Sequence, residues 1–149
     1  NNNTVTGNTC NGNSNHGILL HASSNNTVTG NTCNGNSDGI YLYTSNNNTV
    51  TGNTYNGNSN HGILLQASSN STVTGNTCNG NSNYGIHLYA SSNNNTVTGN
   101  TCIRESYTGS QYTISIGSGC EDNLVVGNNC LGKAPTDNGT RTLIESNKH

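Results

Sequence analysis

Carboxylates come first among the side chains that could perform chemistry, because hydrolysis of a glycosidic bond needs two of them flanking the bond. The chain of 149 residues has six Asp and Glu and four Lys and Arg. Of these ten, only Asp38 precedes residue 103, and the adjacent Glu121 and Asp122 are predicted to lie in a turn, solvated, before a strand. The sequence therefore predicts no catalytic residue and a non-enzymatic protein.

Histidines are the second group, since imidazole is a common ligand of transition metals. His16 and His61 occupy equivalent positions in the first and third of the repeats described below, so their backbones are expected roughly 9–10 Å apart. His21 and His87 fall in other columns. Metal ligands must lie within about 2.3 Å of one ion. We therefore predict that the histidines face solvent and that the chain has no metal site and no cofactor.

Cysteines form the third group, and their spacing leaves two alternatives open. Five of the six recur at one position of a repeated phrase, so stacked copies would bring neighbouring Cα atoms to about 5 Å, within disulfide range. Cys10–Cys33 and Cys78–Cys102 could then pair, whereas the alternative is a ladder of small buried thiols. Cys120 lies outside this column and is the best candidate for a bridge to another coil or chain. The six are Cys10, Cys33, Cys78, Cys102, Cys120 and Cys130.

The elements that position these groups are copies of one phrase, Asn-Thr-Val-Thr-Gly-Asn-Thr-Cys, first seen at Asn3–Cys10. Its central valines lie 23, 22, 23, 24 and 28 residues apart, a period typical of solenoids. Tyr55 replaces the cysteine in the third copy. The valines are predicted to form an inner ladder of Val5, Val28, Val50, Val73, Val97 and Val125.

Each repeat has the pattern of one coil with three short strands and three turns. Thr-Val-Thr alternates polar and apolar residues, as a strand with one buried face does, and Asn-Gly-Asn-Ser supplies turn residues. Gly-Ile-x-Leu forms the longest strand. The predicted fold is an all-β, single-stranded parallel β-helix of about six coils of 22–24 residues. Residues 1–102 form the regular coils, and residues 103–149 form irregular last coils and a C-terminal cap of the same domain.

The phrases Asn-Asn-Thr-Val-Thr-Gly-Asn-Thr, Gly-Ile-x-Leu-Tyr and Ser-Ser-Asn together resemble the right-handed β-helix repeat of NosD-type proteins over about residues 1–132. The resemblance implies a right-handed solenoid. For function it implies a range, because the family includes copper-delivery proteins, carbohydrate-binding and sugar-hydrolysing modules, and cell-envelope components. Such repeats are common in secreted and surface proteins of methanogenic archaea.

Outward positions of the longest strand form a predicted contact face, since Leu and Tyr pointing to solvent in a regular stripe indicate a binding or assembly surface. The alternative is that outward aromatic residues merely suit strands. The residues of this face are Leu19, Tyr41, Tyr43, Leu64, His87 and Tyr89.

Composition excludes several partners. The formal net charge is −2 without a basic patch, so nucleic-acid binding has no electrostatic basis, and no apolar run is long enough to span a membrane. Few charges, six cysteines and many Asn-x-Thr triplets favour an extracellular or cell-surface location. The triplets arise wherever turn-forming Asn precedes strand-forming Thr, so they do not by themselves imply glycosylation. Because the chain opens within a phrase, we expect a mature or excerpted piece of a longer product.

The leading expectation is a structural protein that polymerises with itself, end to end or laterally, into an envelope sheath, fibre or surface layer. The first alternative is a carbohydrate- or cell-wall-binding module. The second is an ice-binding protein that uses the two outward threonine columns of the Thr-Val-Thr strands.

Overall fold

The computed structural model describes residues 1–105 and 111–149, and within them the chain forms two parallel sheets that run the length of one solenoid. The seven-stranded sheet contains β1 (Thr4–Thr6), β3 (Thr27–Thr29), β5 (Thr49–Thr51), β7 (Thr72–Thr74), β9 (Thr96–Thr98), β11 (Leu124–Val126) and β13 (Leu143–Glu145). The six-stranded sheet contains β2 (His16–His21), β4 (Asp38–Tyr43), β6 (His61–Gln66), β8 (Tyr84–Tyr89), β10 (Tyr112–Ile116) and β12 (Thr136–Asp137).

Neighbouring coils pair in register, so equivalent residues stack on one another. Val5 pairs with Val28, and the same register continues along the seven-stranded sheet to Ile144. A third line of parallel bridges begins at Thr9 and Thr32. The prediction of an all-β parallel solenoid of about six coils is confirmed.

A narrow apolar core fills the solenoid. The central valines point inward and Val28 is fully buried, whereas Val5 in the first coil is only partly buried. Inward Ile and Leu side chains of the six-stranded sheet pack against the valines and the cysteines. One inward apolar residue on each short strand and two on each long strand suffice, because each coil covers the next.

Glycine at the second position of the long strands is required by close packing. A Cβ on Gly39 would lie 2.6 Å from the Gly62 carbonyl oxygen and 2.7 Å from the Tyr55 Cβ. A Cβ on Gly62 would lie 2.9 Å from the Cys78 Cβ. The first four long strands therefore pass directly over the cysteine column, where only a residue without a side chain fits, whereas β10 has Thr113 at the equivalent position.

Buried asparagines at the turns form ladders that run along the solenoid. Asn53 Oδ1 accepts hydrogen bonds from the backbone N–H and the side-chain amide of Asn31, at 2.9 and 3.0 Å. Asn53 Nδ2 in turn donates to Asn76 Oδ1 and to the Val28 carbonyl, at 2.9 and 3.0 Å. Each asparagine thus satisfies backbone groups of the turn that would otherwise be buried without partners.

The end of the chain continues both sheets. Strands β10 and β12 extend the six-stranded sheet, and β11 and β13 extend the seven-stranded sheet. Residues 106–110 of the predicted irregular end lie outside the described residues. Arg141 contacts the exposed carboxylates of Glu121 and Asp122, each at 2.6 Å. Within the described ranges no helix has the length and apolar character of a membrane span.

Replacing a ladder asparagine should destabilise the whole rod. Asn76 is buried, accepts both hydrogen bonds from Asn53 and donates to Val50 and Asn100. Asn76→Ala leaves several buried polar groups unpaired, so we expect the free energy of unfolding to fall by about 3 kcal/mol. Urea denaturation followed by circular dichroism measures this loss. The exposed Ser82→Ala is the control, and equal losses in the two variants would contradict a structural role for the ladder.

Candidate functional site

The outward face of the six-stranded sheet carries most of the aromatic and histidine side chains. Three stacked columns contribute. They begin at His16, at Leu19 and, at the strand end, at His21. We call this surface the aromatic face. Its rings belong to His16, His21, Tyr41, Tyr43, His61, Tyr84, His87, Tyr89 and Tyr112.

Ring stacking is closest in the middle of the aromatic face. The Tyr84 and His87 ring centroids are 4.1 Å apart with an interplanar angle of 17°, and Tyr84 also stacks on His61 at 5.3 Å and on Tyr112 at 5.1 Å. The Lys133 ammonium lies 3.3 Å from the Tyr112 centroid, a cation–π contact. These contacts fix the rings in place.

The N-terminal part of the aromatic face is arranged in the same way. His16 and Tyr41 have ring centroids 5.0 Å apart, and Tyr41 contacts Tyr43 at 5.7 Å. His21 stacks on Tyr43 at 5.2 Å. The Tyr41 hydroxyl donates a hydrogen bond to Gln66 Oε1, which links this part of the face to the next coil.

Asp38 lies between two histidines and is only 4% exposed. Its Oδ1 is 2.6 Å from His61 Nδ1 and its Oδ2 is 3.0 Å from His16 Nδ1. Burial acts to raise the pKa of Asp38, but the hydrogen bond from His61 and the charges of His61 and His16 outweigh it and hold the pKa below the usual 3.8. The carboxylate therefore remains charged and fixes both imidazole rings.

The prediction of solvent-facing histidines is wrong for His61, which is buried. Sequence reasoning placed His16 and His61 two coils apart and missed the residue between them. Asp38 occupies the same place before the Gly-Ile phrase in the second coil, so aligning the repeats column by column would have revealed the pairing.

His87 is half-buried and its Nδ1 has no hydrogen-bond partner in the described part of the chain. Burial, with a smaller contribution from His61, lowers the pKa of His87 to about 4. The ring is therefore neutral near neutral pH, and one of its nitrogens has an unused hydrogen-bonding position.

The six residues predicted for the contact face differ in exposure. Leu19, Tyr43 and Tyr89 are exposed, at 50%, 37% and 49%. Tyr41 and His87 are half-buried. Leu64 is only 9% exposed, so the expectation that it points freely to solvent is wrong. It lies in register between Tyr41 and His87 on the neighbouring strands, and these larger side chains flank it on both sides.

The cysteines lie inside the solenoid as free thiols, and none of the six, all within the described residues, forms a disulfide. Burial, with the neighbouring Cys10, raises the pKa of Cys33 to about 12, and burial likewise raises the pKa of Cys102 above its usual value. Thiols of this kind react slowly, because the thiolate is the reactive form. Cys120 is fully buried, so it does not present a thiol to another chain as the sequence suggested.

The outward threonines of the seven-stranded sheet stack in two columns, with Thr4 on Thr27 and Thr6 on Thr29 at the first step. The hydroxyls of Thr74 and Thr98 are 3.4 Å apart. Ice binding by this grid stays a prediction.

The described donors do not fit a transition-metal site. Among them, no group of three or more His, Cys, Asp or Glu side chains could hold an ion. The Nδ1 atoms of His16 and His61 are taken by Asp38. His61 and His87 stack with centroids 5.5 Å apart, so their in-plane lone pairs run side by side and do not converge on one ion.

Comparison with known proteins gives one match. The family model described as periplasmic copper-binding protein (NosD) matches residues 1–135. No curated protein and no solved structure matches the chain. The copper in that description has no counterpart in the donor geometry of the described residues.

Acidification should destabilise the protein through His87. Its pKa of about 4 in the folded chain lies below the usual 6.5, so the unfolded chain takes up the proton first. Stability is then full above about pH 6.5 and is lost as the pH falls towards about 4. We expect a loss of about 2 kcal/mol between roughly pH 7 and pH 4.5, measured by urea denaturation.

His87→Gln should remove most of this pH dependence, whereas the exposed His21→Gln should leave it unchanged. Asp38 does not contribute in this window, because its pKa is held below 3.8 and its stabilisation is lost only at lower pH. The same pH profile in wild type and His87→Gln would contradict the assignment.

Proposed function

The chain belongs to the NosD family, and we propose that it acts outside the cytoplasm as a non-enzymatic module that binds carbohydrate along its aromatic face. The family is described as periplasmic, which implies an extracellular or envelope location. Exposure at the cell surface is part of the proposal, because ligand polymers such as wall polysaccharides are found there.

The observation that carries the proposal is the continuous array of rings on one sheet. From β2 to β10 the array crosses four steps between coils, or about 19 Å at the usual strand spacing. Aromatic rings bury apolar surface with little loss of conformational freedom, and the C–H faces of sugar rings offer such surface. A flat array of this length suits several units of a polymer better than one small molecule.

Polar groups beside the rings can recognise the hydroxyl groups of a sugar. Tyr43 and Tyr89 are exposed, and Gln66 lies between them in the same column. The His87 ring packs nearby, with its centroid 5.5 Å from that of Tyr89, and its unpartnered Nδ1 is buried within the face. A few polar groups among apolar ones are the usual composition of a ligand site.

Gly117 lies directly beside the rings of Tyr89 and His87. A Cβ placed on it would lie 3.1 Å from the Leu88 carbonyl oxygen, 3.4 Å from Tyr89 Cδ2 and 3.7 Å from His87 Nε2. The backbone of the next coil therefore packs closely against this end of the aromatic face, and the exposed part of the Tyr89 ring is the surface that a ligand can contact.

Charge supports a neutral ligand and a non-enzymatic role. Asp38 is buried and both its carboxylate oxygens contact histidine nitrogens, so it presents no free carboxylate at the aromatic face. Glu121 and Asp122 are held by Arg141 on another part of the molecule. A carboxylate pair flanking a ligand, which glycoside hydrolysis requires, is not formed by these three residues.

Lateral self-assembly into a sheath, fibre or surface layer is the second candidate. The exposed Leu19 favours it, because an apolar side chain beside Tyr41 on a flat sheet suits packing against a second copy. Carbohydrate binding is preferred because Leu64, the other leucine of the predicted stripe, is covered. The remaining surface is therefore aromatic and polar.

Tyr89→Ala should weaken carbohydrate binding. Removing the exposed ring eliminates the stacking surface beside Gly117, and we expect roughly tenfold weaker binding. A glycan array with the wild-type protein identifies the ligand, and titration calorimetry then compares the variants. Leu143→Ala is the matched control, since Leu143 is equally exposed, at 48%, on the seven-stranded sheet.

Loss of affinity in Tyr89→Ala and not in Leu143→Ala supports the proposal. Absence of wild-type binding to neutral glycans of many types on the array would overturn it. Electron microscopy of the same concentrated protein then tests the second candidate, because ordered polymers that disappear in Leu19→Ser would favour self-assembly.

A further inference from the structure

One asparagine in each of the first five coils behaves differently from the ladder asparagines. It lies at the corner two residues before a Thr-Val-Thr strand, and it is exposed. Its φ is between 55° and 60°, in the left-handed region. These corner asparagines are Asn2, Asn25, Asn47, Asn70 and Asn94.

The side-chain amides of the corner asparagines form no hydrogen bond within the described residues, in contrast to their neighbours. Asn48, directly after Asn47, is buried and donates to the Ser23 carbonyl and accepts from Asn26. Asn47 uses only its backbone, whose N–H donates to the Ser69 carbonyl at 3.0 Å. The fold therefore holds the backbone of each corner and leaves its amide in solvent.

Each corner asparagine begins an Asn-x-Thr sequon whose threonine starts the next strand, as in Asn47-Asn48-Thr49. The fold does not require asparagine at this corner. Asp122 and Arg141 occupy the equivalent positions in the last two coils with nearly the same φ, 56° and 54°. In both, the residue two positions later is leucine, Leu124 and Leu143, so asparagine and threonine are lost together.

We propose that the corner asparagines form a stripe of N-linked glycosylation sites along one edge of the solenoid. The sequon is the acceptor pattern, and exposure with an unbonded amide is what a glycan needs in the folded chain. The co-reactant is an oligosaccharide linked through phosphate to a lipid. The amide Nδ2 forms a bond to sugar C1, the C1–O bond breaks, the lipid phosphate leaves with the electron pair, and the amide proton passes to a base.

The position of the stripe is compatible with a free aromatic face. Asn47 lies in the turn after β4 and before β5, beyond the last outward residue of the long strand, Tyr43. Glycans attached there extend from the edge between the two sheets. The proposal does not depend on carbohydrate binding by the aromatic face, because a different edge of the molecule carries it.

The test is peptide mapping of the protein purified from its native source. Arg104 is the first basic residue, so trypsin would leave all five corners in one fragment, and chymotrypsin is the suitable protease. Enzymatic removal of glycans in ¹⁸O-labelled water converts an occupied asparagine to a labelled aspartate, which mass spectrometry locates. We expect labelled aspartate at one or more of the five corners. Five unmodified corners would overturn the proposal.

Variants at one corner test whether modification of Asn47 depends on the sequon threonine or on the local structure of the strand. Thr49→Val, produced in the native host, should abolish modification at Asn47 and leave other corners unchanged, whereas Thr49→Ser should retain it. Thr51→Val is the matched control, since Thr51 lies in the same strand outside the sequon. A glycan that persists on Asn47 in Thr49→Val would contradict recognition of the sequon.

Discussion

The hydrogen-bonded asparagine ladder is the interaction on which the rest of the structure depends. A solenoid this narrow buries the backbone of its turns, and water cannot reach these groups to replace lost hydrogen bonds. Asn31, Asn53 and Asn76 satisfy them by joining each turn to the next at distances of 2.9 to 3.0 Å. The apolar core is thin, so the register of the coils rests on this polar network as much as on the valines.

Register in turn creates the aromatic face. His16, Asp38 and His61 meet because three consecutive coils place the same strand position in one column. A shift of one residue would turn every side chain of the strand to the other face and separate the carboxylate from its histidines. The stacking of Tyr84 on His61 follows from the same alignment. The aromatic face is therefore a product of coil geometry.

Sequence alone predicted the parallel solenoid and the inward direction of its central valines. The period near 23 residues and the alternation of Thr-Val-Thr, on which these predictions rest, are properties of the chain itself. It did not predict the pairing of Asp38 with two histidines. Residues far apart in sequence met there through stacking, and only a column-by-column alignment would have shown it. The burial of Leu64 and Cys120 was also missed, because the bulk of neighbouring side chains decides exposure and residue type does not.

The direction of the ladders has a mechanical consequence. Strand and asparagine hydrogen bonds both join one coil to its immediate neighbour, so they lie along the rod axis. A force that pulls the two ends apart acts equally on every coil boundary, because the boundaries are in series. The weakest boundary would open first, and the rod would then unwind coil by coil.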